Sequence, residues 1–257
     1  MAKVYYRETG GEVAIFELCY RNHLPLLIKG PTGCGKSQFV EAMAEKLGRP
    51  VIQVSCNEDT TAADLLGRFV IQNMETIWQD GPVSRAVREG AILYLDEIAE
   101  AREDVIVALH PLTDHRREIY LDRTNETLKA PDTFFCVASF NPGYQRGLKE
   151  LKPSTRQRFV SLPLKYPEPK VEAEILRAIT QLGEDHADRL VKLAAKIRSL
   201  VQLGLRETVS TRLLVYAARL IQSGMNPRTA CRVAIAEPLS DDAKVIQSLV
   251  DLIAIHF

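Results

Sequence analysis

Gly30-Pro31-Thr32-Gly33-Cys34-Gly35-Lys36-Ser37 satisfies the pattern G-x-x-x-x-G-K-[ST] at every required position. Leu24-Pro25-Leu26-Leu27-Ile28-Lys29 before it reads as a short buried strand, and Ser37 to Leu47 after it reads as a helix ending at Gly48. That context matters physically. The glycines let consecutive backbone N–H groups turn inward around a phosphate, assisted by the positive end of the following helix. Lys36 is expected to neutralise β- and γ-phosphate oxygens, and Ser37 to offer a hydroxyl ligand to Mg²⁺. The expected nucleotide-contacting set is Gly30, Pro31, Thr32, Gly33, Cys34, Gly35, Lys36, Ser37 and Gln38.

The second decisive stretch is Ala91-Ile92-Leu93-Tyr94-Leu95-Asp96-Glu97. A short apolar run ending in two acids reads as a buried parallel strand that delivers both carboxylates beside the phosphate loop. Asp96 is expected to hold Mg²⁺ through its water shell, and Glu97 to orient the water that attacks the γ-phosphate.

The remaining composition sets bounds. The chain has 257 residues and a formal net charge of zero, enough length for one large domain or two unequal ones. A neutral chain has no global field drawing it to nucleic acid or an anionic membrane. No apolar segment follows the N-terminus, and no run approaches membrane-spanning length. The 5 cysteines are widely spaced and include no C-x-x-C pair, which suggests reduced thiols in a cytoplasm, without a zinc site or a disulfide frame. Cys34 is notable because oxidation of a thiol inside the phosphate loop would block nucleotide; the reading adopted is a passive small residue.

Further along, Val13 to Cys19 carries a helical apolar pattern, and Val51 to Ser55 reads as a strand. Thr60 or Thr61 is placed to cap a short helix over Ala62 to Leu66. From Gly67 to Gly81 the pattern alternates loosely and breaks at Gly81-Pro82, an excursion carrying the single Trp, with a helix expected from Val83 to Glu89. Trp78 is equally readable as a core anchor or a surface contact. Helical spacing resumes from Asp104 to Leu109. His110 and His115 resemble a helical ligand pair, but Pro111 interrupts the turn and no acidic third ligand is evident, so a metal role is not adopted. Glu118 to Leu121 and Thr127 to Lys129 suggest a β-hairpin.

Thr133 to Phe140 reads as another buried strand, ending at Asn141-Pro142-Gly143. On local grounds Asn141 is either turn chemistry or an amide directed at the γ-phosphate. Arg156 and Arg158 precede a short strand over Val160 to Leu162. Three prolines between Pro163 and Pro169 mark a boundary, and beyond it every apolar stripe has helical spacing through Ile253.

These parts resemble the AAA+ ATPases, and within them the CbbQ/NorQ branch of the MoxR group. The resemblance is carried by IKGPTGCGKSQFVE (28–41), CNEDTTAADLLGRF (56–69), WQDGPVSRAVREGAILYLDEIAEARED (78–104), HPLTDHRRE (110–118), SFNPGYQ (139–145), STRQRF (154–159) and VSTRLLVYAARL (209–220). It implies an α/β core with a parallel sheet over residues 1–165 and a small all-helical lid over 166–257, binding ATP and Mg²⁺. It implies that Asn141 is the sensor-1 residue, that Arg158 completes a neighbouring subunit's site, with Arg156 the second candidate, and that Arg212 touches the γ-phosphate from the lid. A cation supplied in trans makes hydrolysis depend on assembly, and the family's homo-hexamer is implied. Residues 67–82 resemble the helix-2 insertion, and 118–129 the hairpin before sensor 1.

Members of this branch remodel proteins together with a partner bearing a von Willebrand factor A domain. One set reactivates Rubisco inhibited by sugar phosphates; the other matures nitric oxide reductase. The expectation adopted is the Rubisco client. A nucleic-acid motor and a slow nucleotide-gated scaffold are the competing classes. Neutral charge weighs against the first, and the intact Asp96-Glu97 pair against the second.

Overall fold

A computed structural model describes residues 4–142, 151–201 and 208–257. Gly143 and the basic loop that follows it lie outside the described residues. In chain order the first part contains α1 (Glu12–Arg21), β1 (Leu26–Lys29), α2 (Lys36–Leu47), β2 (Val51–Ser55), α3 (Ala62–Leu66), β3 (Gly67–Gln72), β4 (Glu75–Asp80), α4 (Pro82–Glu89) and β5 (Ile92–Asp96). It continues with α5 (Glu103–Ala108), β6 (Glu118–Leu121), β7 (Glu126–Lys129), β8 (Phe135–Phe140), α6 (Pro153–Arg156) and β9 (Val160–Pro163). Helices then follow: α7 (Pro169–Thr180), α8 (Glu184–Val201), α9 (Thr211–Gln222), α10 (Pro227–Cys231), α11 (Glu237–Leu239) and α12 (Ala243–His256).

A five-stranded parallel sheet in the order β2-β5-β8-β1-β9 forms the centre. The three inner strands are apolar on both faces, as burial between two helical layers requires, whereas the edge strands β2 and β9 mix exposed and buried positions. Side-chain alternation divides the core. Leu27, Leu93, Leu95, Cys136 and Ala138 pack towards α3, α4 and α5. Leu26, Ile28, Ile92, Tyr94, Phe135 and Val137 face α1 and α2 instead. Phe16 of α1 sits edge-on against Phe39 of α2 at 5.4 Å and Phe135 of β8 at 5.1 Å. A third cluster draws only on residues from Ala173 to Ile253 and fills the helical part.

The structure settles several local readings. Thr61 caps α3 in a reciprocal box with Asp64. The excursion after α3 is a β-hairpin. Gln72 pairs Glu75 across Asn73 and Met74, both with positive φ (53° and 64°), as a two-residue turn between twisted strands needs. Met74 is an uncommon residue there, which is why the loose alternation did not read as a hairpin. Trp78 anchors it, packing on Phe69 at 5.3 Å and donating to Asp80 Oδ1 at 2.7 Å.

The helical spacing read after Asn226 is interrupted by a π-helical turn over Arg232–Ala236. Pro238 follows inside α11, has no N–H for an α-helical bond, and the wider turn accommodates its ring.

Phe16→Ala removes a fully buried ring that joins α1, α2 and the sheet. It is expected to lower stability by about 3–5 kcal/mol, measured as a fall in the thermal or denaturant midpoint. A change under about 1 kcal/mol would mean that the aromatic cluster does not hold α1 to the sheet.

Candidate active site

The loop between β1 and α2 is built by backbone conformations that side chains resist. Gly33 has φ +67° and Gly35 +100°, and a Cβ on Gly33 would lie 2.6 Å from Ser210 Cβ. The helical part therefore approaches the loop backbone directly at Gly33. Gly35 starts α2 without a side-chain cap, leaving the first N–H groups of this 12-residue helix for an anion. Lys36 is only 6% exposed. Its Nζ donates to the carbonyls of Gly30 at 2.9 Å and Pro31 at 3.2 Å, and to Asn141 Oδ1.

The acids arrive from the neighbouring strands. Asp96 ends β5, and Glu97 follows in the left-handed region (φ 54°, ψ 47°). A bulky residue there is strained by roughly 1–3 kcal/mol, and such strain persists where the surroundings over-determine it. Here Glu97 N–H donates to Ser139 Oγ at 3.2 Å. Ser139 Oγ in turn donates to Asp96 Oδ1 at 2.5 Å, and Tyr94 OH donates to the same oxygen at 2.8 Å. Tyr94 OH also lies 3.3 Å from Ser37 Oγ, so one phenol links the two expected metal ligands.

Asn141 is the hub. Its Nδ2 donates to Glu97 Oε1 at 2.8 Å and to Thr32 Oγ1 at 3.1 Å, while Oδ1 accepts from Lys36. Burial raises the Glu97 carboxyl above its ordinary value; nearby Lys36 opposes that and nearby Asp96 adds to it. Burial likewise raises the Cys34 thiol, so the loop cysteine is a protonated, packed side chain rather than a reactive thiolate.

A cleft of about 460 Å³ opens above the loop and the two acids; Asn141 contacts Thr32 and Glu97 but does not itself line it. Loop residues Thr32 to Gln38 form its floor together with Asp96 and Glu97. Gly30 and Pro31 instead turn their carbonyls to Lys36. The opposite wall is helical: Thr211, Arg212, Val215 and Arg219 of α9 and Ile175 and Ile179 of α7. The N-terminal segment closes one side with Tyr5, Tyr6, Arg7 and Thr9. Buried Glu12 secures that segment, accepting from Tyr6 OH and Thr9 N at 2.7 Å each and from Gly10 N at 2.6 Å.

Arg156 and Arg158 do not line this cleft. Arg158 Nη1 donates to Asp114 Oδ2 at 3.0 Å, while its Nε is buried without a hydrogen-bond partner. Asp114 also binds Arg116, whose donation holds the carboxyl well below its usual range. Arg117 donates to the carbonyls of Pro131 and Phe134, so both residues of the basic pair on the hairpin flank are tied to the protein itself. His110 Nε2 lies 3.2 Å from Thr155 Oγ1, a structural contact.

Tyr94 and Ser139 were not legible as site residues because they sit inside apolar strands. Period-two alternation nevertheless places Tyr94 on the same face as Asp96, and that spacing was the available signal. Arg219 stands two turns beyond Arg212 on one helix face and was legible in the same way.

Nucleotide hydrolysis by an ATPase of the AAA class is the chemistry this arrangement serves. Residues 25–159 match the family described as AAA domain (dynein-related subfamily), and residues 172–256 match the one described as CbbQ/NirQ/NorQ C-terminal. The denitrification regulatory protein NirQ of Pseudomonas aeruginosa is 56% identical over 255 residues, covering 99% of this chain and 98% of that one. Protein NorQ of Paracoccus denitrificans is 55% identical over 98% of this chain and 94% of its own. Protein CbbQ of Hydrogenophilus thermoluteolus is 52% identical over 93% and 89%.

Among solved structures, a putative ATPase from Cytophaga hutchinsonii superposes with TM-score 0.55 at 17% identity, covering 97% of this chain and 90% of that one. A RuvB variant from Thermotoga maritima gives 0.58 at 14%, over 95% and 71%. Both show the fold. The chain belongs to the CbbQ/NirQ/NorQ family of AAA ATPases.

The donor set suits a hard cation. Ser37 offers a hydroxyl and Asp96 a carboxylate, oxygen ligands of the kind Mg²⁺ shares with substrate phosphates and water.

Lys36→Ala is expected to weaken MgATP binding by more than about tenfold, read by calorimetry or a fluorescent nucleotide. Binding within about twofold of the unmodified protein would remove Lys36 from phosphate recognition. Because burial holds the Glu97 carboxyl above its ordinary value, lowering the pH removes its charge and its basicity towards water earlier than for an exposed glutamate. The acid limb of kcat/KM for ATP hydrolysis, which reports groups of the free enzyme, should therefore lie above the usual glutamate range. An acid limb at the ordinary glutamate value would show that Glu97 does not control it.

Proposed function

We propose that this chain is the motor subunit of a protein-remodelling machine, working as a homo-hexamer with a von Willebrand factor A-domain adaptor in the cytoplasm. The observation that carries the catalytic part is the single side chain of Asn141 bridging Lys36 and Glu97. One residue thereby fixes the phosphate-binding cation relative to the carboxylate that would orient water. Glu97 accepts the hydrogen bond of the attacking water, and Asn141 keeps that carboxylate from rotating away. Ser37 and Asp96 would hold Mg²⁺, which when bound supplies charge neutralisation at the phosphate oxygens. Lys36 and the N-terminus of α2 fix the phosphates, and Arg212 reaches them from α9.

Arg158 is proposed as the cation given to the neighbouring subunit, with Arg156 as the second candidate. Its absence from its own cleft and its orientation by Asp114 support that reading. The motor is proposed to divide into a core of residues 1–165 and a lid of 166–257, which the separate helical hydrophobic cluster supports. Among the described residues no helix is long and apolar enough to cross a membrane. Nucleic acid is not proposed as a partner, since Arg116 and Arg117 are both engaged within the chain.

Two clients follow from the family. Rubisco inhibited by sugar phosphates is the client favoured by the sequence motifs. Maturation of nitric oxide reductase is the second reading: two relatives named denitrification regulatory protein are 56% identical over 99% and 50% identical over 98% of this chain, on either side of CbbQ at 52% over 93%.

The deciding experiment reconstitutes the motor with adaptor and ATP against each client in turn, with Glu97→Gln as the arrested control. Recovery of one client only with the hydrolysing form assigns it. Failure of both, with ATPase turnover and adaptor binding intact, would overturn both client readings. Turnover by Glu97→Gln at the unmodified rate would overturn the site assignment instead.

A further inference from the structure

The catalytic hub is connected to the lid by one continuous chain of contacts that crosses the boundary at Tyr166. Thr32 of the phosphate loop is held twice. Its hydroxyl accepts from Asn141 at 3.1 Å, the amide that also holds Glu97, and its carbonyl accepts from Tyr166 OH at 2.9 Å. The Tyr166 ring lies beneath the Arg198 guanidinium, 4.1 Å from centroid to carbon. Arg198 grips Glu172 with two parallel bonds of 2.7 and 2.8 Å and donates a third to Val209 O at 3.0 Å. Thr211 Oγ1 donates to the same Glu172 at 2.6 Å. The next residue, Arg212, lines the cleft.

The terms of this chain do not read as ordinary stabilisation. Glu172 is 0% exposed, and a buried ion pair is often no more stabilising than apolar residues of equal volume. What such a pair supplies is geometry. A guanidinium bonded through Nε, Nη1 and Nη2 at once has its plane fixed, and the plane sets where the Tyr166 ring rests. The phenol then fixes the Thr32 carbonyl, on the same residue whose hydroxyl Asn141 uses.

We propose that Tyr166 is a positioning residue for ATP hydrolysis, transmitting the placement of the Glu172–Arg198 pair to Thr32 and so to Asn141 and Glu97. The inference rests on the roles proposed above for Asn141 and Glu97.

Tyr166→Phe is the test, because it keeps the ring on Arg198 and deletes the donation to Thr32. In the assembled protein with its adaptor, kcat should fall about three- to tenfold with KM changed less than about threefold, the effect of one hydrogen bond. A cycle with Asn141→Ala tests the connection. Because Tyr166 acts on Glu97 through Thr32 and Asn141, the combined loss of kcat should fall short of the product of the single losses by at least about threefold.

Multiplicative losses, or an unchanged kcat, would overturn the proposal; a lowered Tm with multiplicative losses would mark Tyr166 as structural only. Asn141→Ala and Glu97→Gln run alone separate this from failure of the site reading. If neither slows turnover, the roles assigned to those residues fall, and the relay with them.

Discussion

Burial of the Lys36 ammonium is the constraint on which the rest of the site depends. A cation at 6% exposure is costly unless oxygen atoms surround it, and Gly30 O, Pro31 O and Asn141 Oδ1 supply them. Each partner lies at the carboxyl end of a parallel strand: the loop follows β1, and Asn141 follows β8, its hydrogen-bonded neighbour. The sheet order therefore has a direct electrostatic consequence. Pairing β8 beside β1 brings an amide onto Lys36, and pairing β5 beside β8 brings Glu97 onto the other end of that amide.

The strained backbone of Glu97 follows from the same arrangement. Its left-handed conformation is held by donation of its N–H to Ser139, a residue that also donates to Asp96. Ser139 thus orients both acids from the adjacent strand, and Tyr94 ties Asp96 to Ser37 of the loop. These are buried polar groups in a close network, where each hydrogen bond is stronger than in water and each missing partner costlier. A site of this kind is rigid within the core. The lid is joined to it by close packing of Ser210 on Gly33 and by the Tyr166 bond to Thr32.

Much of this was legible in the chain. The phosphate loop, the strand before it, the helix after it, the Asp96-Glu97 strand end and the helical stripes of the C-terminal part all follow from local spacing. Asn141 was ambiguous locally, since Asn before Pro is ordinary turn chemistry; the family resemblance favoured a site role, and the structure places its amide on Lys36, Thr32 and Glu97. The hairpin over Gly67–Asp80 escaped detection because Asn73-Met74 lacks the glycine that usually announces such a turn. The π-helical turn before Pro238 escaped because a single proline does not say whether a helix stops or widens.

The sequence by itself determined which segment is shaped for phosphate, because a phosphate loop is one contiguous stretch whose backbone N–H groups and Lys36 come together locally. It also determined the α/β character of the core and the helical character of the lid, since both are read from periodicities of two and 3.6. Only the tertiary structure decided what those atoms work with. Strand order brought Asn141 and Ser139 to the acids, and helix packing brought Arg212, Arg219 and Tyr166 to the loop from residues far along the chain. Partners of that kind are set by which surfaces bury against one another, and no local pattern encodes that.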